Sequence, residues 1–196
     1  MIALYLGLVA TLLTIALRAN NGNLVYSLDD AYIHMAIAKN FTQHGVWGVT
    51  AYSFTSATSS PGWTLLLSLS YVISGVNDFA PLLLNILCAL ALLALAYRAF
   101  ADAPLWYRLL VLLAVLFVTP LLWLTFTGME HLLHTLLVLA LLLSLMPVVQ
   151  NHDSPSPRML ALSLLLAASA TFVRYESLFV IAPLAGLLLL RGRWRL

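Results

Sequence analysis

The stretch SLDDAYIHMAIAKNFTQHG, residues 27–45, interrupts a chain that is otherwise mostly apolar. It opens on two adjacent aspartates, Asp29 and Asp30, in a protein with only seven acidic residues. Aspartate at a helix N-terminus satisfies free N–H groups and suits the positive end of the helix dipole. The pair therefore predicts a helix over about 29–44. One carboxylate is enough for a cap, so the second is in excess. A carboxylate held by N–H donors stays ionised at neutral pH and can accept a proton from a hydroxyl. His34 lies one turn beyond Asp30, within reach of the same helix face.

Outward from this stretch the composition is decisive. Of 196 residues, 63% are hydrophobic and 8% charged, against about a quarter charged in a soluble domain. The chain reads as an all-α, polytopic membrane protein. The net charge is +2 and the arginines are scattered, which excludes a nucleic-acid footprint. Cys88 is the only cysteine, so no intrachain disulfide can form. The apolar start at 2–17 has no basic segment before it and no clean small-x-small site at "ALRAN", which reads as an uncleaved first span.

Seven apolar stretches fall at about 2–17, 61–76, 80–97, 108–126, 131–149, 159–173 and 177–190. Arg98, Arg108, Arg158, Arg191, Arg193 and Arg195 sit in alternate breaks, while the "TGMEH" and "RYE" breaks carry only Arg174. Lys/Arg enrichment marks cytoplasmic loops, so these two breaks face the outside. Before residue 80 the rule leaves two topologies open. If 61–76 spans, DDAYIH is cytoplasmic; if 61–76 lies in the interface, DDAYIH is outside. Its Trp, Tyr and serines suit an interfacial helix, and Ser60–Pro61 is a good N-cap and N1 pair.

The remaining polar residues gather at the outer breaks. Glu130 stands where two long apolar stretches meet, and acids at such depth are costly and mostly functional, N-capping being the plainer reading. "EHLLH" is not the zinc motif H-E-x-x-H, since His131 and His134 are three apart. Arg174 and Glu176 read either as a snorkelling arginine with its counter-ion or as a phosphate contact. "AYSFTSATSSPGW", 51–63, is a hydroxyl-rich connector whose Ser59 and Ser60 can line a polar cleft.

Together, "DDAYI…A…N…HG", "TSSPGW", "GME" about 100 residues after the acidic pair, and a later Arg-x-Glu resemble the GT-C superfamily of integral-membrane glycosyltransferases. The nearest look is to bacterial relatives of protein O-mannosyltransferases, aminoarabinose transferases and arabinofuranosyltransferases. The resemblance implies about six transmembrane helices, with residues 20–79 as a first periplasmic loop carrying interfacial helices at about 29–44 and 61–76. It settles the open topology in favour of the outside. It implies Asp29, Asp30 and Glu130 as catalytic residues, with Asp29 the base. Arg174, Glu176, His34, Ser59 and Ser60 become substrate-binding candidates. A divalent cation, Mg or Mn, held by Asp29 and Glu130 is compatible with it, though some relatives do without one. The implied partners are a polyprenyl-phosphate-linked sugar donor, an envelope glycan, lipid or protein acceptor, and membrane lipids. The implied location is the bacterial inner membrane, multi-pass, with a periplasmic active face. Members of the family usually carry more spans, so 1–196 is expected as a single transmembrane module from the N-terminal part of a longer enzyme. A transporter or flippase is the first rival, opposed by the absence of midplane polar residues and of inverted repeats. A non-catalytic scaffold or inactive fragment is the second.

Overall fold

The computed structural model describes residues 1–151 and 156–190, and every regular element among them is helical. The chain divides into two compact units, Met1–Leu132 and Leu133–Leu196. The first contains α1 (Ile2–Ala19), α2 (Asp29–His44), α3 (Pro61–Ser74), α4 (Ala80–Ala99), α5 (Leu105–Phe117) and α6 (Leu121–Thr125). The second contains nearly all of α7 (His131–Asn151), then α8 (Pro157–Val173), a 3-10 turn (Tyr175–Ser177) and α9 (Leu178–Leu190). Arg191, Arg193 and Arg195 lie outside the described residues.

Three helices are long and apolar enough to cross a membrane: Ile2–Ala19, Ala80–Ala99 and His131–Val149. Leu105–Phe117, Pro157–Val173 and Tyr175–Leu189 are apolar but shorter. The 13 residues of α5 cover only roughly 20 Å at ~1.5 Å per residue, less than a hydrocarbon core. The continuous span expected over 108–126 is broken: α5 stops at Phe117 and α6 restarts at Leu121. Pro120 is the cause, because it lacks an N–H and disfavours helical backbone at the residue before it.

In the first unit the helices expected at about 29–44 and 61–76 are α2 and α3, and they pack on each other. Ala31, His34, Met35 and Ala38 recur at helical spacing on the buried stripe of α2. Gly45 ends that helix at φ +67°, with its N–H on Phe41 O at 3.0 Å, a left-handed position glycine adopts without penalty. The buried stripe of α3 is Trp63, Thr64, Leu67, Ser68 and Tyr71. Its opposite face exposes Leu65, Leu66, Leu69, Val72 and Ile73. The hydroxyls of this helix, Thr64 and Ser68, thus lie on its buried side among Trp63, Leu67 and Tyr71, while its outer side is apolar, unlike that of a water-facing helix. The core of the second unit is Leu141, Leu145, Val148 and Leu188, with Met159, Leu166, Ala167, Ile181 and Leu184 against it.

Candidate functional site

The site is built from the "TFTGMEH" turn laid against α2 and α3. Gly128 makes this possible. It sits at φ +71°, and a Cβ there would stand 2.8 Å from Tyr26 Cδ1 and 3.0 Å from Ala31 Cβ. The turn thus touches the first turn of α2, at the residue next to Asp30. Trp63, fully buried, donates from Nε1 to Gly128 O at 3.1 Å. The Tyr26 hydroxyl donates to Asp78 O at 2.6 Å and accepts from Leu82 N at 3.1 Å, which joins this linker to the start of α4.

The turn directs Glu130 inward. Its side chain is fully buried, with Oε2 3.7 Å from Nε2 of the equally buried His34. The other ring nitrogen, Nδ1, lies 2.9 Å from Thr58 Oγ1 and 3.0 Å from Thr64 Oγ1. Thr64 donates to Ser60 O at 3.0 Å. One arrangement of protons serves the whole set. With the ring proton on Nε2, that N–H is the one nearest the Glu130 carboxyl group, and Nδ1 is the acceptor for the Thr58 hydroxyl. Acid, imidazole and hydroxyl thus lie in sequence around one buried ring, which ties α2 to the connector and to α3.

Asp29 and Asp30 take the opposite environment, both exposed in the first turn of α2. The N-cap is Leu28, and among the described residues Asp29 Oδ1 accepts from the following N–H, of Asp30, at 3.0 Å. An apolar groove of about 430 Å³ is lined by Leu12 and Ala16 of α1, Ser27, and Leu122, Trp123 and Phe126. Ser27 stands two residues before Asp29. Ser60 is buried as the N-cap of α3, its hydroxyl accepting from Trp63 N at 3.4 Å, while Ser59 is exposed.

In the second unit, Arg174 forms a two-pronged pair with Glu176: Nη2 to Oε1 at 2.6 Å and Nε to Oε2 at 3.3 Å. This hydrogen bonding holds the Glu176 carboxyl below the usual range. Glu176 is thus a counter-ion of Arg174. His134 Nε2 lies 2.8 Å from Ser177 Oγ in the same unit.

Compared with protein-family models, curated proteins and solved structures, the chain gives no match. Among the described residues no group of three or more His, Cys, Asp or Glu side chains is placed to hold a metal ion. Asp29 is exposed and Glu130 is buried. Sequence reasoning overlooked Thr58 and Thr64, which close the network around His34. The available signal was Thr64 at i+4 from Ser60, on the buried stripe of α3.

Proposed function

We propose that this chain is the membrane module of a glycosyltransferase that takes a sugar from a polyprenyl-phosphate donor at the outer face of the bacterial inner membrane. In this reading the acceptor hydroxyl attacks C1 of the sugar and the C1–O bond to phosphate breaks. Polyprenyl phosphate departs with the bonding electron pair, and Asp29 takes the hydroxyl proton. Asp30 orients the acceptor. Glu130 acts through His34 as a positioning residue, fixing the hydroxyl-rich connector against the acidic helix start. The six-span bundle and the interfacial setting of α2 and α3 belong to the same reading.

The observation that carries it is the juxtaposition at the α2 N-terminus. An exposed acid pair begins two residues after Ser27 of an apolar groove, and the turn bearing a buried third acid packs on Ala31. A long hydrocarbon tail suits the groove, whose polar lining residue is Ser27. Asp29→Asn tests it, because Asn keeps the shape and most hydrogen bonds but not the proton affinity. Transfer from polyprenyl-phosphate sugars should fall by about 10² to 10⁴ while thermal stability in detergent barely moves. Transfer within a few-fold of wild type would remove Asp29 as the base and leave it a helix-start residue.

A further inference from the structure

A second built feature lies in the first unit, at the end of α4 and the start of α5. Here an apolar cleft of about 520 Å³ is lined by Ile2 of α1, Leu93, Ala94 and Arg98 of α4, and Leu105 and Leu109 of α5. Arg98 is exposed in the last turn of α4. Arg108 is held on the neighbouring Tyr97. Its Cζ lies 3.5 Å from the Tyr97 ring centroid, its Nη2 donates to Tyr97 O at 3.2 Å, and its Nε is buried without a hydrogen-bond partner among the described residues. Tyr97 itself lines the cleft. Among the described residues neither guanidinium pairs with a carboxylate. Asp102, in the same connecting loop, is exposed.

A lone arginine closing a helix would need no further account, since it suits the negative dipole end. Here Arg98 lines an apolar cleft, and Arg108 is stacked on Tyr97, another of its lining residues, with no carboxylate partner for either among the described residues. The cleft takes a hydrocarbon chain, and the rim takes a planar-recognised anion such as phosphate. Basic pockets between membrane helices bind anionic head groups on this principle. We infer that this cleft is a binding site for one anionic phospholipid, with an acyl chain between α1, α4 and α5 and the head-group phosphate on Arg98 and Arg108. A zwitterionic head group places its ammonium against the same two cations and is disfavoured.

The test is native mass spectrometry of the full chain in detergent, titrated with phosphatidylglycerol and phosphatidylcholine of identical acyl chains. Wild type should prefer phosphatidylglycerol by about five- to tenfold, from roughly one guanidinium's attraction or a little more. Arg98→Gln should bring that preference to within about twofold while leaving phosphatidylcholine binding unchanged, which also shows that the variant is folded. Ala94→Phe, at an exposed helix position inside the cleft, should weaken both lipids. Equal binding of the two lipids by wild type overturns the inference, as does a preference that survives Arg98→Gln. Indifference of both lipids to Ala94→Phe overturns the acyl-chain placement, and equally effective competition by inorganic phosphate makes the site one for free phosphate rather than lipid.

Discussion

The two acidic environments of the first unit differ residue by residue. Asp29 and Asp30 are solvent-facing, whereas Glu130 is enclosed with His34. A buried acid facing an imidazole is costly to desolvate and strongly dependent on its partner. Glu130→Gln and His34→Gln should therefore couple: a double-mutant cycle on detergent unfolding is expected to give about 1 kcal/mol or more. Simple additivity would show that the 3.7 Å contact contributes nothing. Tyr71 offers the opposite case. Its hydroxyl is buried with no hydrogen-bond partner among the described residues, and burial pushes the phenol up to about 12. Tyr71→Phe removes an unsatisfied group without changing the packing, so stability should hold or rise by about 1 kcal/mol. A clear fall in melting temperature would mean the hydroxyl is bonded in solution. None of this was legible from residue type. His34 was readable as a helix-face histidine, but its partners come from 24, 30 and 96 residues away in sequence.

At the scale of elements, the boundaries were set by local chemistry and the contacts were not. Gly45 closes α2 and Ser60–Pro61 opens α3 through rules that act within one turn, whereas the expected aspartate cap of α2 is not formed: Leu28 is the N-cap and Asp29 and Asp30 lie in the first turn, where they suit the helix dipole. The break at Pro120 obeys the same kind of rule, yet the apolar run from 108 to 126 concealed it. Hydropathy registers side chains, whereas a proline acts through its missing N–H and its ring. Gly128 is where element meets element. Gly128→Ala combines a left-handed backbone, which costs an L-residue about 1–2 kcal/mol, with a Cβ 2.8 Å from Tyr26 Cδ1. A loss of about 2 kcal/mol or more is expected in detergent melting. Gly7 of α1 is the control, since a Cβ there meets nothing within 4 Å; Gly7→Ala should be neutral or stabilising by about 0.5–1 kcal/mol. Equal effects at the two positions would remove the close approach as the reason for glycine in the GME turn.

For the whole molecule, the sidedness of α2 and α3 is what the glycosyltransferase reading requires. With Cys88 replaced by serine, Tyr52→Cys, which is 94% exposed, and Phe100→Cys should label from opposite sides of sealed vesicles. If α3 crosses the membrane, both positions label from the same side and the periplasmic site is lost. The sequence by itself determined the membrane class, the helical content, most helix boundaries and the residues that stand out chemically. Each of these follows from composition or from interactions spanning a turn or less. Only the tertiary structure decided that Glu130 faces His34, that the ring meets the threonines, and that Asp29 and Asp30 stay exposed. It alone showed that Arg174 is held by Glu176, and that Arg108 lies on Tyr97 without a carboxylate among the described residues. In a chain where nearly every helix is apolar on all sides, hydropathy carries almost no information about which face meets which. Partners are then chosen by close packing and by a few buried polar groups, whose energies depend on distances that no local pattern records.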